Sequence, residues 1–188
     1  MRTGIAAAFL TAFCIVAVGA PAQTATEHRK APEWAISEWI NSPGLTLADL
    51  RGKVVVIDFF QLWCPGCNKF SIPLMHHWER IFEQERKDGR IAFVSIHTVF
   101  EGHSYQRPKR LRTFVEEKNI THPVGIDRHA DGRRLPITME RYRTRGTPEM
   151  AIIDKQGNIR FQQFGYFEPD HGERLIRTLL AEETGGDT

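Results

Sequence analysis

The chain has 188 residues, 41% of them hydrophobic and 26% charged, which is the composition of an ordinary soluble globular protein. This length suits one domain with a single core and is short for two. The formal net charge of +2 argues against a general nucleic-acid-binding protein, since such proteins carry a strong excess of basic residues.

The first 22 residues have the pattern of a secretory signal peptide. Arg2 precedes the apolar stretch IAAAFLTAFCIVAVGA, and Ala20 and Ala22 provide the small residues of a cleavage site. We predict cleavage after Ala22 and export of the mature protein. An uncleaved membrane anchor is the alternative, although the stretch is shorter than the ~20 apolar residues of a full span.

Residues 23–33 are polar and lack periodicity, so we predict a flexible segment there and a folded domain from Trp34 to residue 184. Early in the domain, NSPGLTLADLRGK combines turn residues with three leucines, which indicates a short strand or turn leading inward. The run VVVIDFF that follows is apolar except for Asp58 and predicts a strand covered on both faces.

Beyond Cys64 the apolar residues recur at helical spacing, which predicts a helix that ends at Gly89. The residues of this stripe are Phe70, Leu74, Met75, Trp78, Ile81 and Phe82. Pro73 lies inside the predicted helix and must kink or interrupt it, because proline has no amide hydrogen and its ring clashes with the preceding turn.

The rest of the chain alternates between strands and helices. IAFVSIH predicts a strand, PKRLRTFVEEKN a helix, HPVGID a short extended piece and ITMERYR a helical turn. MAIID and IRFQQFG predict a hairpin joined at KQGN, where Gly157 suits the turn. The last segment, DHGERLIRTLLAEE, predicts a helix with Asp170 and Glu173 as an N-terminal cap pair. This order predicts an α/β fold with a mixed central sheet flanked by helices.

Cys64 and Cys67 would be the only cysteines left after cleavage, and three uses are open for them. As a structural disulfide they would close too short a loop to constrain the unfolded chain much. As a zinc site they lack a second pair of ligands, but two thiolates can hold Cu(I). As a redox pair they are well placed, because a sulfur between a buried strand and a helix meets free amides and the positive end of the helix dipole.

The redox interpretation assigns a role to three side chains. Cys64 is predicted to be the attacking thiolate, and Cys67, one helical turn later, is predicted to resolve the mixed disulfide. Asp58 is a carboxylate in an apolar strand, so we expect burial to raise its pKa and to let it take the proton from Cys67. The alternative is that Asp58 faces a solvated loop.

Two segments resemble those of thioredoxin-fold proteins. DFFQLWCPGC is similar to the active-site segment of that family, with Trp63 before the first cysteine and Asp58 six positions before it. RGTPEMAIID resembles the second signature, in which a threonine and a cis-proline, here Thr147 and Pro148, lie beside the disulfide. LADLRGKVVVIDFF and IIDKQGNIRF are similar to the periplasmic TlpA/ResA branch, and the resemblance extends over about residues 45–165.

This resemblance implies a thioredoxin fold with an insertion between the CxxC helix and the cis-proline strand. It also implies a periplasmic thiol–disulfide oxidoreductase that exchanges disulfides with envelope proteins and needs no dissociable cofactor and no metal. Its partners would be a protein thiol or disulfide client and a membrane or periplasmic electron donor. Nucleic acid is not expected as a partner, and membrane contact is expected only through an uncleaved signal. Five residues would contact the substrate beside the cysteines: Trp63, Pro65, Gly66, Thr147 and Pro148.

The chain departs from the thioredoxin pattern in two places. A helix proline follows the second cysteine of thioredoxins by five positions, whereas Pro73 follows Cys67 by six. The insertion contains HTVFEGHSYQRPKR, which either shapes the choice of partner or serves as scaffold. Glutamates are interspersed with the basic residues of this region, so we interpret it as a solvated face rather than an anion-binding site.

Two other functions remain as alternatives. A thiol peroxidase of the wider fold family would have a proline and a threonine where this chain has Ile57 and Gln61. A copper-handling assembly factor would need a third ligand beside the two sulfurs, and Met75 is only a core candidate. Neither set of residues is complete in this chain, so we rank both functions below the oxidoreductase.

Overall fold

The computed structural model describes residues 29–183, which contain six strands and five α-helices. The strands are β1 (Ile36–Ile40), β2 (Val54–Phe60), β3 (Ile91–His97), β4 (Val124–Asp127), β5 (Glu149–Ile153) and β6 (Ile159–Phe164). The helices are α1 (Ile72–Ile81), α2 (Glu83–Lys87), α3 (Pro108–Glu117), α4 (Ile137–Tyr142) and α5 (Pro169–Ala181). The predicted α/β architecture is confirmed, because the strands form one mixed sheet in the order β1-β4-β3-β2-β5-β6.

The apolar run VVVIDFF forms β2 near the centre of the sheet, and all seven of its residues are buried. β2 pairs in parallel with β3 and antiparallel with β5, so both of its edges are hydrogen-bonded. β4 pairs in parallel with β3, while β1 and β6 are antiparallel edge strands. This central position explains why β2 lacks the polar alternation of a half-exposed strand.

Side chains of β2 alternate between the two faces of the sheet, as the period of a strand requires. Its odd-numbered residues lie in one core, together with Tyr142 of α4. Its apolar even-numbered residues face α1 and α5, and at the C-terminal end of the strand they face α3. Asp58 is even-numbered, so it points to the same side of the sheet as the helix that follows the cysteines.

That helix accommodates Pro73 through a wider turn. Residues Cys67–Ser71 form a π-helical turn, in which the N–H of Ile72 donates to the carbonyl of Cys67. α1 then begins at Ile72, so Pro73 lies in its first turn. A π turn spans one more residue than an α turn, which absorbs the shift of the proline from five to six positions after Cys67. The predicted interruption of the helix takes this form.

The N-terminal boundary predicted at Trp34 is too late. The N–H of Ala31 donates to the carbonyl of Gly157 at 2.9 Å. The N–H of Ile159 donates to the carbonyl of Arg29 at 2.8 Å. These bonds pair residues 29–31 with the β5–β6 hairpin, so this part of the predicted flexible segment is hydrogen-bonded backbone. β1 was also not predicted, since its sequence ISEWI is mostly half-buried and pairs only with β4.

The predicted cap of the last helix is wrong. α5 begins at Pro169 with Glu168 at the N-cap position, and no side chain of the described residues caps its amides. Proline at the first helical position places the helix start before Asp170, which therefore lies inside the first turn. Glu173 pairs instead with Arg177, four positions later, at 2.8 Å.

The predicted β5–β6 hairpin is confirmed, and the turn predicted among the leucines is a 3₁₀ turn at Ala48–Leu50.

The predicted signal peptide, residues 1–22, and residues 23–28 of the predicted flexible segment lie outside the described residues. The last residue of the predicted domain, residue 184, also lies outside them. In the part of the chain that the structure describes, no helix is long and apolar enough to cross a membrane.

Candidate active site

Cys64 and Cys67 lie where β2 gives way to a helix. β2 ends at Phe60 and helical backbone begins at residue 65, which leaves Cys64 at the N-terminal boundary of the helix. The two cysteines form a disulfide, with their Cα atoms 5.2 Å apart. Cys64 keeps 6% of its surface exposed whereas Cys67 is fully buried, so a partner molecule can reach only the first sulfur.

The environment of Cys64 favours a negative charge on its sulfur. The N–H of Cys67 donates to Cys64 Sγ at 3.0 Å. Cys64 also lies at the positive end of the helix dipole, and both effects stabilise a thiolate relative to a thiol. The turn that holds the sulfur is fixed by Asn68, whose Nδ2 donates to the carbonyls of Leu62 and Cys64, each at 3.0 Å. Asn68 was not predicted, because nothing in the sequence marks this contact.

Asp58 lies in the core beneath the cysteine-bearing helix, and the alternative in which it faces a solvated loop is wrong. Ser71, four positions after Cys67, donates from Oγ to Asp58 Oδ2 at 3.1 Å, while Oδ1 has no partner among the described residues. Burial raises the pKa of Asp58 from its ordinary value of 3.8 to about 7, and the hydrogen bond from Ser71 limits this rise. Near neutral pH this carboxyl is therefore able both to accept and to release a proton.

Thr147 and Pro148 are joined by a cis peptide bond and precede β5, the neighbour of β2 in the sheet. A Cβ atom on Gly66 would lie 2.8 Å from Cδ of Pro148, so the absence of a side chain lets the first helical turn approach the proline ring. The carbonyl of Pro148 accepts a hydrogen bond from the N–H of Gly165 at 2.8 Å. The structure thus brings two predicted substrate-binding residues, Gly66 and Pro148, into contact, and their role in binding stays a prediction.

An open groove of about 500 Å³ is lined by Cys64 and by three of the predicted substrate-binding residues, Trp63, Pro65 and Thr147. The other lining residues were not predicted, because most belong to loops that are distant in the chain. They are Gln61, Phe100, Glu101, Arg145, Gly146 and Phe164. The lining combines aromatic rings with one acidic and one basic side chain, whereas Cys67 and Asp58 lie below the surface.

Gln106 anchors the insertion to the turn that precedes Cys64. Its Oε1 accepts hydrogen bonds from the N–H of Leu62 and from Nε2 of His97, each at 3.1 Å. Its Nε2 donates to the carbonyl of Glu101 at 3.0 Å. Burial lowers the pKa of His97 to about 4, so the imidazole is neutral, and its proton is on Nε2 because a carboxamide oxygen can only accept. The insertion is therefore tied to the active-site turn.

The substitution Gln106→Leu is expected to lower the free energy of unfolding by about 2 kcal/mol. It keeps the bulk of the side chain but leaves the buried N–H of Leu62 and Nε2–H of His97 without an acceptor. Denaturant unfolding measures the change. Gln84→Leu is the control, because Gln84 is exposed and its side chain bonds only to Asp88 within residues 29–183, and its effect is expected to stay within about 0.5 kcal/mol. Equal effects of the two substitutions would contradict an anchoring role for Gln106.

Trp63 is held over the groove by the active-site turn and the insertion. Its Nε1 donates to Gln61 Oε1 at 2.8 Å, and Gln61 Nε2 donates to the carbonyl of Thr98 at 3.0 Å. Its ring stacks on Tyr105, with centroids 5.9 Å apart and planes 19° apart. Gly102, at φ +61°, lies against the same ring and leaves no room for a side chain. Gln61, which stands where a peroxidase would have threonine, is thus used to orient Trp63.

Within residues 29–183, no group of three or more histidine, cysteine, aspartate or glutamate side chains is arranged to hold a metal ion. Met75, predicted to be a core residue rather than a third copper ligand, is fully buried in the core beside α1 and α5. The copper alternative therefore gains no support from the described part of the chain.

The AhpC/TSA family matches the sequence over residues 28–162, which is more than half of the chain. The chain belongs to the AhpC/TSA family. One relative, Protein DipZ of Mycobacterium bovis, is 30% identical over 155 residues, which cover 80% of this chain but only 20% of that protein. Thiol-disulfide oxidoreductase ResA of Geobacillus thermodenitrificans is 27% identical over 157 residues, which cover 83% of this chain and 74% of that protein.

Solved structures of thioredoxin-like proteins match this AhpC/TSA-family chain over nearly their whole length. A thioredoxin-like superfamily protein aligns with a TM-score of 0.77 and 44% identity, covering 82% of this chain and 98% of that one. A thiol-disulfide isomerase from Corynebacterium glutamicum aligns with a TM-score of 0.75 and 37% identity, covering 81% and 98%. These matches confirm the thioredoxin fold. With the ResA relatives, they confirm the predicted resemblance to thiol–disulfide oxidoreductases of the TlpA/ResA type.

Proposed function

We propose that this AhpC/TSA-family protein is a periplasmic thiol–disulfide oxidoreductase that exchanges disulfides with proteins of the cell envelope. The observation that carries the proposal is the disulfide at the start of a helix, with Cys64 open to a groove and Cys67 buried behind it. Relatives named thiol-disulfide oxidoreductase and thiol-disulfide isomerase support the activity. The predicted signal peptide supports the periplasmic location.

The first step of the proposed reaction takes place at Cys64. In the reduced protein, its thiolate attacks one sulfur of a client disulfide. A bond forms between Cys64 and that sulfur as the client disulfide breaks, and the second client sulfur leaves as a thiolate that takes up a proton. The N–H of Cys67, which donates to Cys64 Sγ, favours the thiolate that this attack requires.

The second step takes place at Cys67. Asp58 takes the proton from the Cys67 thiol, and the resulting thiolate attacks Cys64 Sγ. The bond between Cys64 and Cys67 forms, the mixed disulfide breaks, and the client leaves with two thiols and two more electrons. An electron donor restores the two cysteines by the same steps in reverse. No dissociable cofactor is needed, because the electrons are carried by the sulfurs.

The groove is the proposed surface for the client polypeptide. Trp63, Pro65 and Thr147 surround Cys64 and offer aromatic, apolar and hydroxyl contacts, while Glu101 and Arg145 supply charge. Such a mixed, open lining suits an extended protein segment, which needs several modest contacts around one reacting sulfur.

Equilibration of the Cys64–Cys67 pair with glutathione buffers tests the proposal, because it measures whether the pair exchanges and at which reduction potential. A value near about −270 mV would identify a reductant, and a value near about −120 mV would identify an oxidant that makes disulfides. The control is the same protein in denaturant, where both sulfurs are accessible. The proposal is wrong if the denatured protein exchanges with the buffers while the folded protein never does.

A further inference from the structure

The first turn of α3 and the insertion before it form a pocket of about 430 Å³ that the proposed reaction does not use. We name it the basic pocket. Its lining residues are Ser104, Tyr105, Arg107, Lys109, Arg110 and Thr113. All six are exposed, three of them are cations, three offer a hydroxyl group, and none is a carboxylate. This composition is that of an anion-binding surface.

The three cations of the basic pocket have no acidic partner among residues 29–183, where every ion pair joins other side chains. Their neighbour Arg112 shows the contrast, since it pairs with Glu38 of β1. Arg110 is fixed differently, with its guanidinium carbon 3.9 Å from the ring centre of Tyr105. Arg110 is therefore held in place while its charge stays free to meet a ligand.

The position of these cations is unfavourable for the helix itself. α3 begins at Pro108, and its first turn contains no acidic residue. Because the N-terminal end of a helix carries a partial positive charge, Lys109 and Arg110 are repelled by it. A carboxylate bound in the pocket would replace this repulsion with attraction. A solvated face, the interpretation made from the sequence, does not explain why only positive charges gather here.

The basic pocket is continuous with the groove at Cys64 through a stack of side chains. Arg110 lies on Tyr105, Tyr105 stacks on Trp63, and Trp63 lines the groove next to Cys64. Trp63 and Tyr105 are each 44% exposed, so the stack forms part of the surface. A polypeptide whose sulfur lies at Cys64 therefore has neighbouring residues within reach of the basic pocket.

We propose that the basic pocket is the docking site for an acidic segment of the protein that exchanges disulfides with Cys64. This inference rests on the proposed function and adds the chemistry of its partner: aspartate or glutamate side chains close to the reacting cysteine. Arginine binds a carboxylate through paired hydrogen bonds, and lysine adds a compact charge. Continuity with the groove favours a protein segment over a lipid headgroup. Docking of this kind increases the association rate and weakens as salt is added.

The test compares two disulfide-bridged peptides of equal length, one with three glutamates beside the cysteine and one with three glutamines. The reduced protein is mixed with an excess of each peptide, and the second-order rate constant of this single turnover is measured at low and high salt. At low salt we expect the acidic peptide to be preferred about tenfold. The variant Arg107→Gln/Lys109→Gln/Arg110→Gln is expected to reduce both peptides at similar rates. The control Lys53→Gln/Arg86→Gln/Arg174→Gln removes three cations that are in no ion pair within residues 29–183, and it is expected to keep the preference.

Each outcome separates the docking site from the proposed activity. If the wild-type protein reduces both peptides equally at every salt concentration, the docking proposal is overturned and the oxidoreductase stands. If it exchanges with neither peptide, whether the reduced protein meets the disulfide forms or the oxidised protein meets the dithiol forms, both proposals are overturned. If the two triple variants lose the preference to the same extent, net charge rather than the basic pocket is responsible, and the docking proposal again falls. Pocket-dependent binding to vesicles of anionic phospholipid, without any peptide preference, would assign the pocket to a membrane surface instead.

Discussion

The substitution Cys64→Ser is expected to abolish disulfide exchange, with a loss of more than about a thousandfold in rate. A serine hydroxyl is not ionised near neutral pH and cannot form a disulfide with a client. The amide of Cys67 and the helix dipole, which favour the Cys64 thiolate, would have no sulfur to act on. The rate at which a disulfide-bridged peptide is reduced by the pre-reduced protein measures the effect.

The matched variant is Cys67→Ser, which keeps the attacking sulfur and removes the resolving one. We expect this variant to attack the peptide once and then to remain joined to it, because no second thiolate is available to break the mixed disulfide. Mass spectrometry under non-reducing conditions would detect the adduct. The assignment of roles is reversed if Cys64→Ser accumulates the adduct and Cys67→Ser does not.

The parts of the site that are local in the chain were predictable from the sequence. Asp58, Cys64 and Cys67 lie within one decapeptide, where an apolar run implies a buried strand and the period of that strand determines which way Asp58 faces. The helix that begins at residue 65 then places Cys67 about one turn after Cys64, on the same side. Contacts of this range depend on secondary structure alone, and secondary structure is what apolar periodicity reports.

The rest of the site depends on contacts between residues that are distant in the chain. Gln106 reaches Leu62 across 44 positions, and Phe164 lines the groove from the end of β6. Such pairs are determined by the order of strands in the sheet, and no periodicity encodes that order. The charge of the basic pocket depends on the fold in the same way. Along the chain Glu101 and Glu116 flank its cations, but the fold places no carboxylate among the residues that line it.

The differences in the fold have equally specific causes. β1 is an edge strand with only one buried residue, so its apolar alternation is weak. Pro73 is visible in the sequence as an interruption, but spacing alone does not say which turn of the helix widens to accept it. Both features depend on how an element adapts to its neighbours, which the pattern of a single segment does not report.

The substitution Asp58→Asn is expected to stabilise the protein at pH 8 and to change its stability much less at pH 4. The folded protein holds the Asp58 proton up to a pKa of about 7, whereas the unfolded chain releases it near the ordinary value of 3.8. Between these pH values the folded state binds more protons, so its stability falls as the pH rises. Three pH units correspond to about 4 kcal/mol as an upper bound, and the variant would avoid this loss because an asparagine side chain carries no charge.

Urea unfolding of both proteins at pH 4 and pH 8 measures this difference. Asp131→Asn is the control, because Asp131 is exposed, and we expect it to change the free energy of unfolding by no more than about 0.5 kcal/mol at either pH. An equal gain from Asp58→Asn at both pH values would mean that the carboxylate form of Asp58 carries no special cost in the core.

The same substitution is expected to slow the second step of exchange by about a hundredfold, because Cys67 loses the group that takes its proton. Attack by Cys64 on the client should be much less affected, so the mixed disulfide should accumulate transiently in Asp58→Asn. In the wild-type protein the second step should accelerate as the pH rises through about 7, where Asp58 becomes able to accept a proton, and this dependence should vanish in the variant. Rapid quenching followed by mass spectrometry separates the two steps. A variant that gains stability at pH 8 but resolves the adduct at the wild-type rate would mean that Asp58 is a buried acid that takes no part in the exchange.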